Sequence, residues 1–236
     1  MSQARLAAMS RAPGGSRLPY PEEVIYAIVM TVAWLLTSRG ESLDLALMLI
    51  LAHHAYLRPG ELRRVKWKYL TGGLGRQSAR MALTLHPTEL AKASKTGEFD
   101  ETVILDLDWL VVALRKMQRC RDPEAFVVPG KARDMSRIFD EALLLLDLPR
   151  ILGRETLHVL RHSGPSADAW MGRRTIEQIQ VRGRWRAASS VRRYQKGGRV
   201  AERLARCGDQ LIAYAMKSHK LLGAVLTGRC APFNFR

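Results

Sequence analysis

Two long apolar segments near the start of the chain constrain its fold more than any other feature. Val24–Thr37 has 14 residues and no charged side chain, and Leu43–Leu57 is apolar except for Asp44, His53 and His54. Each segment is shorter than the roughly 20 apolar residues that a membrane-spanning helix requires. Both segments are therefore predicted to form buried helices.

The hydrophobic period changes after "LRPGEL" at positions 57–62. The segments "RRVKWKYL" (63–70), "RMALTLH" (80–86) and "ETVILDL" (101–107) alternate in polarity or carry β-branched residues, which predicts three short antiparallel strands. The predicted helices are Pro21 to about Ser38, the second apolar segment, Asp108–Cys120, Asp134–Leu146, Glu155–Met171, Arg174–Val181 and a C-terminal helix at about 199–225. The expected fold is mainly α with a small three-stranded antiparallel sheet, an α+β arrangement.

The first 20 residues differ in composition from the rest of the chain. They contain Arg5, Arg11 and Arg17 and no acidic residue, and they lack the continuous apolar stretch of a secretory signal. We predict a basic, disordered arm at 1–20 and one domain at 21–236, because the chain shows no internal repeat and no long linker. An organelle transit peptide is the alternative interpretation of the arm.

The charge of the chain is strongly one-sided. Its 38 Lys and Arg outnumber its 22 Asp and Glu, which gives a net charge of +16 and a pI near 10.5. The segment 150–206 holds 14 of the basic residues and only four acidic ones. Such a surface favours a polyanionic partner, nucleic acid first and an anionic membrane second, although high solubility alone is another use for it.

The three cysteines, Cys120, Cys207 and Cys230, lie far apart and form no CxxC pair. This spacing argues against a zinc site or a disulfide framework and is typical of a reducing, intracellular compartment. The sequence also lacks the Asp and Glu cluster that two magnesium ions would need. We therefore expect neither a metal nor another cofactor.

The stretch "GRWRAASSVRRYQK" (183–196) places one tyrosine among many arginines. Tyr194 follows Arg192 and Arg193, with Arg184 and Arg186 upstream, and the stretch contains no carboxylate. A core tyrosine has no need of such neighbours, whereas a phosphate close to the phenol does. Positive charge also favours the phenolate form of a tyrosine, whose pKa is ordinarily about 10.

Three other places in the sequence are suited to a phosphodiester, although each alone is weak evidence. Arg58 lies at a helix break with Glu61 one turn later, a suitable partner to orient a guanidinium. Lys95 lies at the tip of a polar turn between two predicted strands. His158 and Arg161 in "HVLRHS" are three residues apart and share a helical face. Taken singly, each could be an ordinary surface residue.

Together these side chains have the chemistry for phosphoryl transfer. Two arginines can bind the non-bridging oxygens bidentately and neutralise the charge of the transition state. A lysine and a histidine can move protons at the bridging oxygens. A tyrosine can attack phosphorus and form a phosphotyrosyl ester.

The order of these residues resembles the signature of the tyrosine recombinase catalytic domain, a family also called the phage integrases. The matching strings are "LRPGEL", "SKTGE", "HVLRHS", "GRW" and "RRY", and the likeness extends from about Pro21 to the tail. Trp185 precedes Tyr194 by nine residues, as in the family. A Trp here, in place of the commoner His, is typical of the Cre-like branch. The resemblance implies a DNA breaking and rejoining fold.

The resemblance also implies a role for each residue. Tyr194 would attack the scissile phosphate and form a 3′-phosphotyrosyl bond, and Lys95 would protonate the leaving 5′-oxygen, with Lys92 as a rival for that role. Arg58 and Arg161 would bind the phosphate oxygens. The remaining members of the implied set are His158 as acid or base, Trp185 as a phosphate contact, Glu61 as support for Arg58, and His162 as a phosphate-binding or structural residue.

Double-stranded DNA is the partner that the resemblance implies. We expect its phosphates to contact the basic residues Lys92, Arg182, Arg184, Arg186, Arg192, Arg193 and Lys196. Family members usually act as DNA-bound tetramers, and their C-terminal helix often docks on a neighbouring subunit. The segment 199–225 is therefore expected either to dock in this way or to pack on its own domain.

Two of the departures from the family pattern concern the start of the chain and the residue before Trp185. Only about 20 residues precede the domain, too few for the separate DNA-clamping domain of most members, and Arg184 stands where glycine is usual. Three interpretations remain: a site-specific recombinase independent of metal and ATP, a non-catalytic DNA-binding module on the same fold, and a strand transferase of the type IB topoisomerase or telomere-resolvase kind. All three place the protein inside the cell, wherever its DNA is.

Overall fold

The computed structural model describes residues 18–72, 80–94, 97–128, 130, 132–192, 194 and 197–235. The predicted basic arm lies outside the described residues, except for positions 18–20. The described part of the chain is mainly helical and contains one small antiparallel sheet, which confirms the predicted fold class. No described helix combines the length and the apolar character needed to cross a membrane.

Most of the described helices are joined by short connections, and the sheet lies between the helices at 59–62 and 108–118. In chain order the described helices are α1 (Glu22–Ser38), α2 (Asp44–His54), α3 (Pro59–Leu62), α4 (Asp108–Gln118), α5 (Ala132–Leu145), α6 (Leu148–Ile151), α7 (His158–Trp170), α8 (Ile176–Gly183), α9 (Ala188–Arg192), α10 (Gly197–Ala205) and α11 (Asp209–Leu226). The two apolar segments form α1 and α2, and most residues of both are buried, as predicted.

Helix α1 lies at the centre of the core because it is apolar on nearly all sides. It packs against α2, α5, α7 and α11. Its first turn nevertheless contains a buried carboxylate, Glu22, which lies 2.9 Å from Arg173 Nη2 and 3.4 Å from His53 Nε2. These partners compensate for the cost of burying the charge.

Three strands form the sheet in the order β1 (Leu70–Gly72), β2 (Met81–Leu85) and β3 (Glu101–Leu105). The central strand places Leu83 opposite both Leu70 and Val103. All three side chains are buried against the helical core. The loop that connects β2 to β3 contains both candidate lysines, Lys92 and Lys95.

The first predicted strand, 63–70, is wrong for most of its length. Only Leu70 of that segment belongs to β1, and Trp67–Tyr69 forms a 3-10 turn instead. The main-chain N–H of Trp67 donates to the carbonyl oxygen of Ala125 at 3.1 Å. A segment distant in sequence therefore takes the hydrogen bonds that β2 was expected to make.

The predicted C-terminal helix at about 199–225 is two helices, α10 and α11. They are separate because Gly208, the N-cap residue of α11, has an extended backbone (φ −72°, ψ 161°). The apolar face of α11, which includes Leu211, Tyr214 and Ala215, is buried, and the helix packs against α1. The apolar face of α11 therefore packs on its own domain, which is one of the two alternatives expected for this segment.

Tyr20 belongs to the folded domain, although its position was predicted to be part of the arm. It is 1% exposed, its main-chain N–H donates to Ser163 Oγ at 2.9 Å, and its hydroxyl donates to the Gly153 carbonyl oxygen at 2.8 Å. Arg203 Nη1 also donates to the carbonyl oxygen of Leu18 at 3.0 Å. Residues 18–20 therefore pack against the folded domain.

Candidate active site

The short helix α3 begins directly after Arg58 and orients its side chain. Arg58 has an extended backbone (φ −74°, ψ 149°). Pro59 occupies the first helical position, where proline costs no hydrogen bond because an N–H there would have no partner within the helix. The Glu61 carboxylate turns back and accepts hydrogen bonds from Arg58 N at 2.7 Å and from Arg58 Nη1 at 2.6 Å. The guanidinium is thereby held close to the start of the helix.

Arg161 lies on α7 and is almost completely buried. Its Nη1 donates to the carbonyl oxygen of Tyr56, and its Nη2 donates to that of Gly183 at 2.9 Å. Its guanidinium carbon lies 4.9 Å from the centre of the Trp185 ring. Each terminal nitrogen keeps a second N–H, so the group retains donors for an anion.

Three guanidinium groups, those of Arg58, Arg161 and Arg184, surround the carboxylate of Glu61. Arg184 Nη2 binds Glu61 Oε2 at 2.8 Å. Burial, together with the charges of Arg58 and Arg184, lowers the pKa of Arg161 to about 10. Burial alone would raise the pKa of Glu61, but Arg184, the Arg58 N–H and Arg161 outweigh it and hold the pKa below its ordinary value. The cluster is therefore net positive at neutral pH.

Four rings form a row in the same part of the structure. His158 and His162 lie one turn apart on α7, with ring centres 5.1 Å apart. The Tyr194 ring lies 5.3 Å from that of His162 and 4.6 Å from that of Trp185. The row joins α7 to the connection after α8 and to the turn after α9, so the fold brings three predicted segments together.

The six tyrosines of the chain differ in exposure. Five belong to the core and are at most 7% exposed: Tyr20, Tyr26, Tyr56, Tyr69 and Tyr214. Burial raises the pKa of each of these five phenols. Tyr194 is only half-buried. It is therefore the tyrosine that an external molecule can approach most easily.

Three of the predicted site residues, Lys95, Arg193 and Lys196, lie outside the described residues. Lys92 is exposed on the loop between β2 and β3, and Arg192 is exposed at the end of α9. Arg186 is also exposed, and its Nη2 binds Glu98 Oε1 of that loop at 3.0 Å. These three arginine and lysine side chains lie on the surface, where an anionic partner can reach them.

Arg182 and Arg184 were predicted to contact DNA, but the structure places both side chains inside the protein. Arg182 Nε and Nη1 donate to the carbonyl oxygens of His54 and Ile104, both at 2.7 Å, and its Nη2 lies 3.2 Å from Asp106. The two side chains are 9% and 5% exposed. We assign them structural roles because protein acceptors already hold their charges.

Tyr56 and Asp168 support the site without any signal in the sequence. The Tyr56 ring stacks on Trp185 with ring centres 6.2 Å apart, and its hydroxyl donates to Asp168 Oδ2. Asp168 also accepts from Arg174 Nη1 and lies 2.9 Å from Arg173 Nε. The two residues are 112 positions apart, so no local pattern could reveal their contact.

Two groups of described residues have donor atoms close enough to share a metal ion: Glu22 with His53 and His54, and Glu61 with His86 and Glu101. In each group an arginine already binds the glutamate, Arg173 at 2.9 Å from Glu22 and Arg184 at 2.8 Å from Glu61. A metal cation beside these guanidinium groups would be repelled. Both groups are better described as buried ion-pair networks.

Comparisons with known proteins find likeness at the level of structure. No protein-family model and no curated protein matches the chain. The XerH site-specific recombinase in its post-cleavage complex with a palindromic difH substrate has a TM-score of 0.57 and 14% identity, covering 83% of this chain and 55% of that chain. XerH in a pre-cleavage complex with difH has a TM-score of 0.51 and 15% identity, with coverages of 76% and 50%. The XerA recombinase has a TM-score of 0.51 and 14% identity, with coverages of 89% and 67%.

The chain spans about half the length of the XerH chains that it matches. Identities this low show the fold and leave the chemistry to the site itself. The helical architecture, the small antiparallel sheet and the likeness to XerH and XerA agree with one another. This chain therefore has the fold of the tyrosine recombinase catalytic domain.

Proposed function

We propose that this protein cuts and rejoins DNA through a covalent 3′-phosphotyrosyl intermediate, as a site-specific recombinase or integrase. The reaction needs no ATP, because the energy of the broken phosphodiester is kept in the phosphotyrosyl bond. It needs no metal, because arginines neutralise the charge of the phosphate in the transition state. The net charge of +16 supports a DNA partner. The similarity to XerH, which is bound to a difH substrate in its own structures, supports the same class of reaction.

The observation that carries the proposal is the position of Tyr194. Its ring packs 4.6 Å from Trp185, whose other contacts include the Arg161 guanidinium at 4.9 Å. It is also half-buried, whereas the other five tyrosines are buried. A nucleophile beside a positive cluster is the arrangement that attack on a phosphodiester requires.

The proposed reaction proceeds in two balanced steps. With the scissile phosphate bound by Arg58 and Arg161, the Tyr194 oxygen attacks phosphorus and loses its proton, for which His158 is the proposed acceptor. The bond to the 5′-oxygen breaks, and Lys95 gives that oxygen a proton. A 5′-hydroxyl then attacks the phosphotyrosyl ester, reforms the phosphodiester and returns the tyrosine. Trp185 has one N–H, which can donate to a phosphate oxygen.

One observation favours a second candidate, a DNA-binding module without catalysis. Both terminal nitrogens of Arg161 donate to main-chain carbonyl oxygens, so part of the clamp is committed to holding the fold. A strand transferase of the topoisomerase or telomere-resolvase kind would use the same chemistry as a recombinase. Joining of two different duplexes separates a recombinase from a relaxing enzyme.

A nicked duplex that releases a short strand after cleavage tests the proposal, because the lost strand prevents rejoining. The protein is incubated with such duplexes of mixed sequence in EDTA and run on a denaturing gel. We expect a slow covalent band from the wild type that Tyr194→Phe abolishes. Tyr69→Phe is the matched control, since it removes a buried hydroxyl from outside the row of rings.

The outcomes of this assay separate the candidates. A covalent band that survives in Tyr194→Phe would show that another residue is the nucleophile. Retained DNA binding by the wild type with no covalent band on any duplex would favour the non-catalytic module. A band that forms only when a divalent metal is added would contradict the metal-independent mechanism.

A further inference from the structure

The loop between β2 and β3 carries both candidate lysines, and His86 is its first residue. At the other end of the loop, the Asp100 main-chain N–H donates to the His86 carbonyl oxygen at 3.0 Å. Both residues have a left-handed backbone with φ of 52°. The closed base fixes the direction in which the His86 side chain leaves the strand.

The imidazole of His86 lies between this loop and the arginine cluster. Its Nδ1 is 3.3 Å from the carbonyl oxygen of Lys92, and because a carbonyl only accepts, Nδ1 carries the proton of this contact. Its Nε2 lies 3.6 Å from Glu61 Oε1 and 4.0 Å from Glu101 Oε2. The side chain is 8% exposed, and Nε2 has no hydrogen-bond partner among the described residues.

Two carboxylates, those of Glu61 and Glu101, lie within 4.0 Å of Nε2. Each carboxylate is shared with an arginine, since Arg184 Nη2 binds Glu61 at 2.8 Å and Arg184 Nε lies 3.7 Å from Glu101 Oε2. The imidazole thus completes a buried network that also holds Arg58, through Glu61.

The loop has a second attachment on its far side. Glu98 Oε1 binds Arg186 Nη2 at 3.0 Å, in the segment that leads to Tyr194. That contact is between exposed side chains, so it is weak, whereas the contacts of His86 with Glu61 and Glu101 are between largely buried side chains. His86 is therefore the stronger of these two attachments.

We propose that His86 is a positioning residue, which holds the lysine loop against the Glu61–Arg58 pair and so aligns a loop lysine with the leaving 5′-oxygen. The part of this inference that concerns the reaction rests on the proposed function. The part that concerns the loop stands on the contacts of His86 with Lys92, Glu61 and Glu101 alone. His86 itself touches no reacting atom.

Two variants separate the side chain from the backbone. His86→Gly removes the imidazole and accepts the left-handed backbone without strain. His86→Asn also tolerates this backbone, and its amide can replace the Nδ1 contact to Lys92 while it is too short to reach Glu61. We expect cleavage rates in the order wild type, His86→Asn, His86→Gly.

The decisive comparison uses two nicked duplexes that differ in one leaving atom, an ordinary 5′-oxygen or a 5′-bridging sulfur. A thiol has a pKa of about 8.5, so it leaves without the lysine proton that an alcohol needs. We expect His86→Gly to slow cleavage on the order of 10- to 100-fold with the oxygen duplex and to cleave the sulfur duplex at nearly the wild-type rate. Equal slowing on both duplexes, or no slowing on either, would overturn the positioning role.

Amide hydrogen exchange over residues 87–99 tests the loop contact without any catalysis. We expect exchange in His86→Gly to be faster than in the wild type across this segment and unchanged in α1. Unchanged exchange in the loop would overturn the inference by itself. If the wild type cleaves neither duplex, the proposed function fails and the catalytic role of His86 with it, while the exchange result still decides whether His86 holds the loop.

Discussion

At the scale of single residues, Arg184 shows how one strained position serves the site. Its backbone is left-handed (φ 57°), which costs a residue with a side chain about 1–2 kcal/mol. Glycine is usual at this position in the tyrosine recombinase family, which the sequence resembles. The positive φ explains that preference, because glycine adopts it without steric cost. The side chain compensates by binding Glu61 at 2.8 Å and the carbonyl oxygens of Arg182 and Ala55 at 3.2 and 3.4 Å.

Substitution of Arg184 by glycine and by alanine should have different effects on stability. Both changes remove the contact with Glu61, but only glycine relieves the backbone. We expect Arg184→Gly to be more stable than Arg184→Ala by about 1 kcal/mol in urea unfolding. An alanine variant as stable as the glycine variant would show that the backbone is not strained at this position.

Arg161→Lys tests whether the buried guanidinium serves both the fold and the reaction. One ammonium cannot replace the donors to the Tyr56 and Gly183 carbonyl oxygens and also bind a phosphate bidentately. We expect the rate of covalent complex formation to fall by about 100-fold or more. DNA affinity should change little, because the positive charge is kept. Near wild-type cleavage by this variant would contradict the role of Arg161 as a clamp.

At the scale of elements, α7 and α8 set the geometry of the site together. Helix α7 presents His158, Arg161 and His162 on one side, because they are spaced three and four residues apart. Helix α8 ends at Gly183, whose carbonyl oxygen binds Arg161 and whose Cα lies against the Trp185 ring. The end of α8 therefore fixes the tryptophan beside the tyrosine.

Gly183→Ala should displace Trp185. A Cβ at this position would lie 1.9 Å from the indole ring, so the ring would have to move away from Arg161 and Tyr194. We expect the rate of covalent complex formation to fall by at least about tenfold, because one contact with the transition state is lost. We also expect the tryptophan fluorescence to change. Gly198→Ala is the matched control, because an added Cβ there has no atom within 4 Å. Equal cleavage by the two variants would contradict this account of Trp185.

The elements also show what the sequence can and cannot predict. The length of the apolar run at 24–37 is enough to predict α1. The alternation of apolar and polar residues is enough to predict β2 and β3. The first strand was misplaced because Trp67 bonds to Ala125, a partner that no local pattern reveals. The string "HVLRHS" predicts which face of α7 carries the site residues. The burial of Arg182 and Arg184 could not be predicted in this way, because it depends on carbonyl oxygens that are distant in the sequence.

At the scale of the whole molecule, ion pairs of two buried carboxylates, Glu22 and Asp168, connect the core to the site. Glu22 on α1 and Asp168 on α7 share Arg173, at 2.9 Å each. Asp168 in turn shares Arg174 with Asp106, which follows β3. The network connects the first helix, the segment after β3 and α7 through these ion pairs.

The free energy of unfolding should decrease in acid because of the Glu22 carboxylate. Burial would raise the pKa of Glu22, but His53 and Arg173 outweigh it and hold the pKa well below its ordinary value. A carboxylate with a lowered pKa in the folded state stabilises the protein at neutral pH, and this contribution is lost as the pH falls below about 5. Urea unfolding at several pH values measures the effect.

Glu22→Gln isolates the contribution of this one carboxylate. We expect a loss on the order of 3 kcal/mol at pH 7, because Arg173 loses one of its two carboxylate partners and a buried ion pair is broken, and a weaker dependence on pH below 5. Glu23→Gln is the control from the adjacent, less buried position. A Glu22→Gln variant whose stability falls with pH as steeply as that of the wild type would contradict this account.

The central claim is that Tyr194 forms the covalent bond to DNA, and mass spectrometry of the trapped complex tests it most directly. Nuclease digestion leaves a nucleotide on the modified residue, and cleavage after glutamate releases residues 178–202 as one peptide, since no glutamate lies between Glu177 and Glu202. We predict that this peptide carries the added nucleotide mass and that fragmentation places it on Tyr194. A nucleotide on any other residue, or a trapped complex with unmodified Tyr194, would contradict the account.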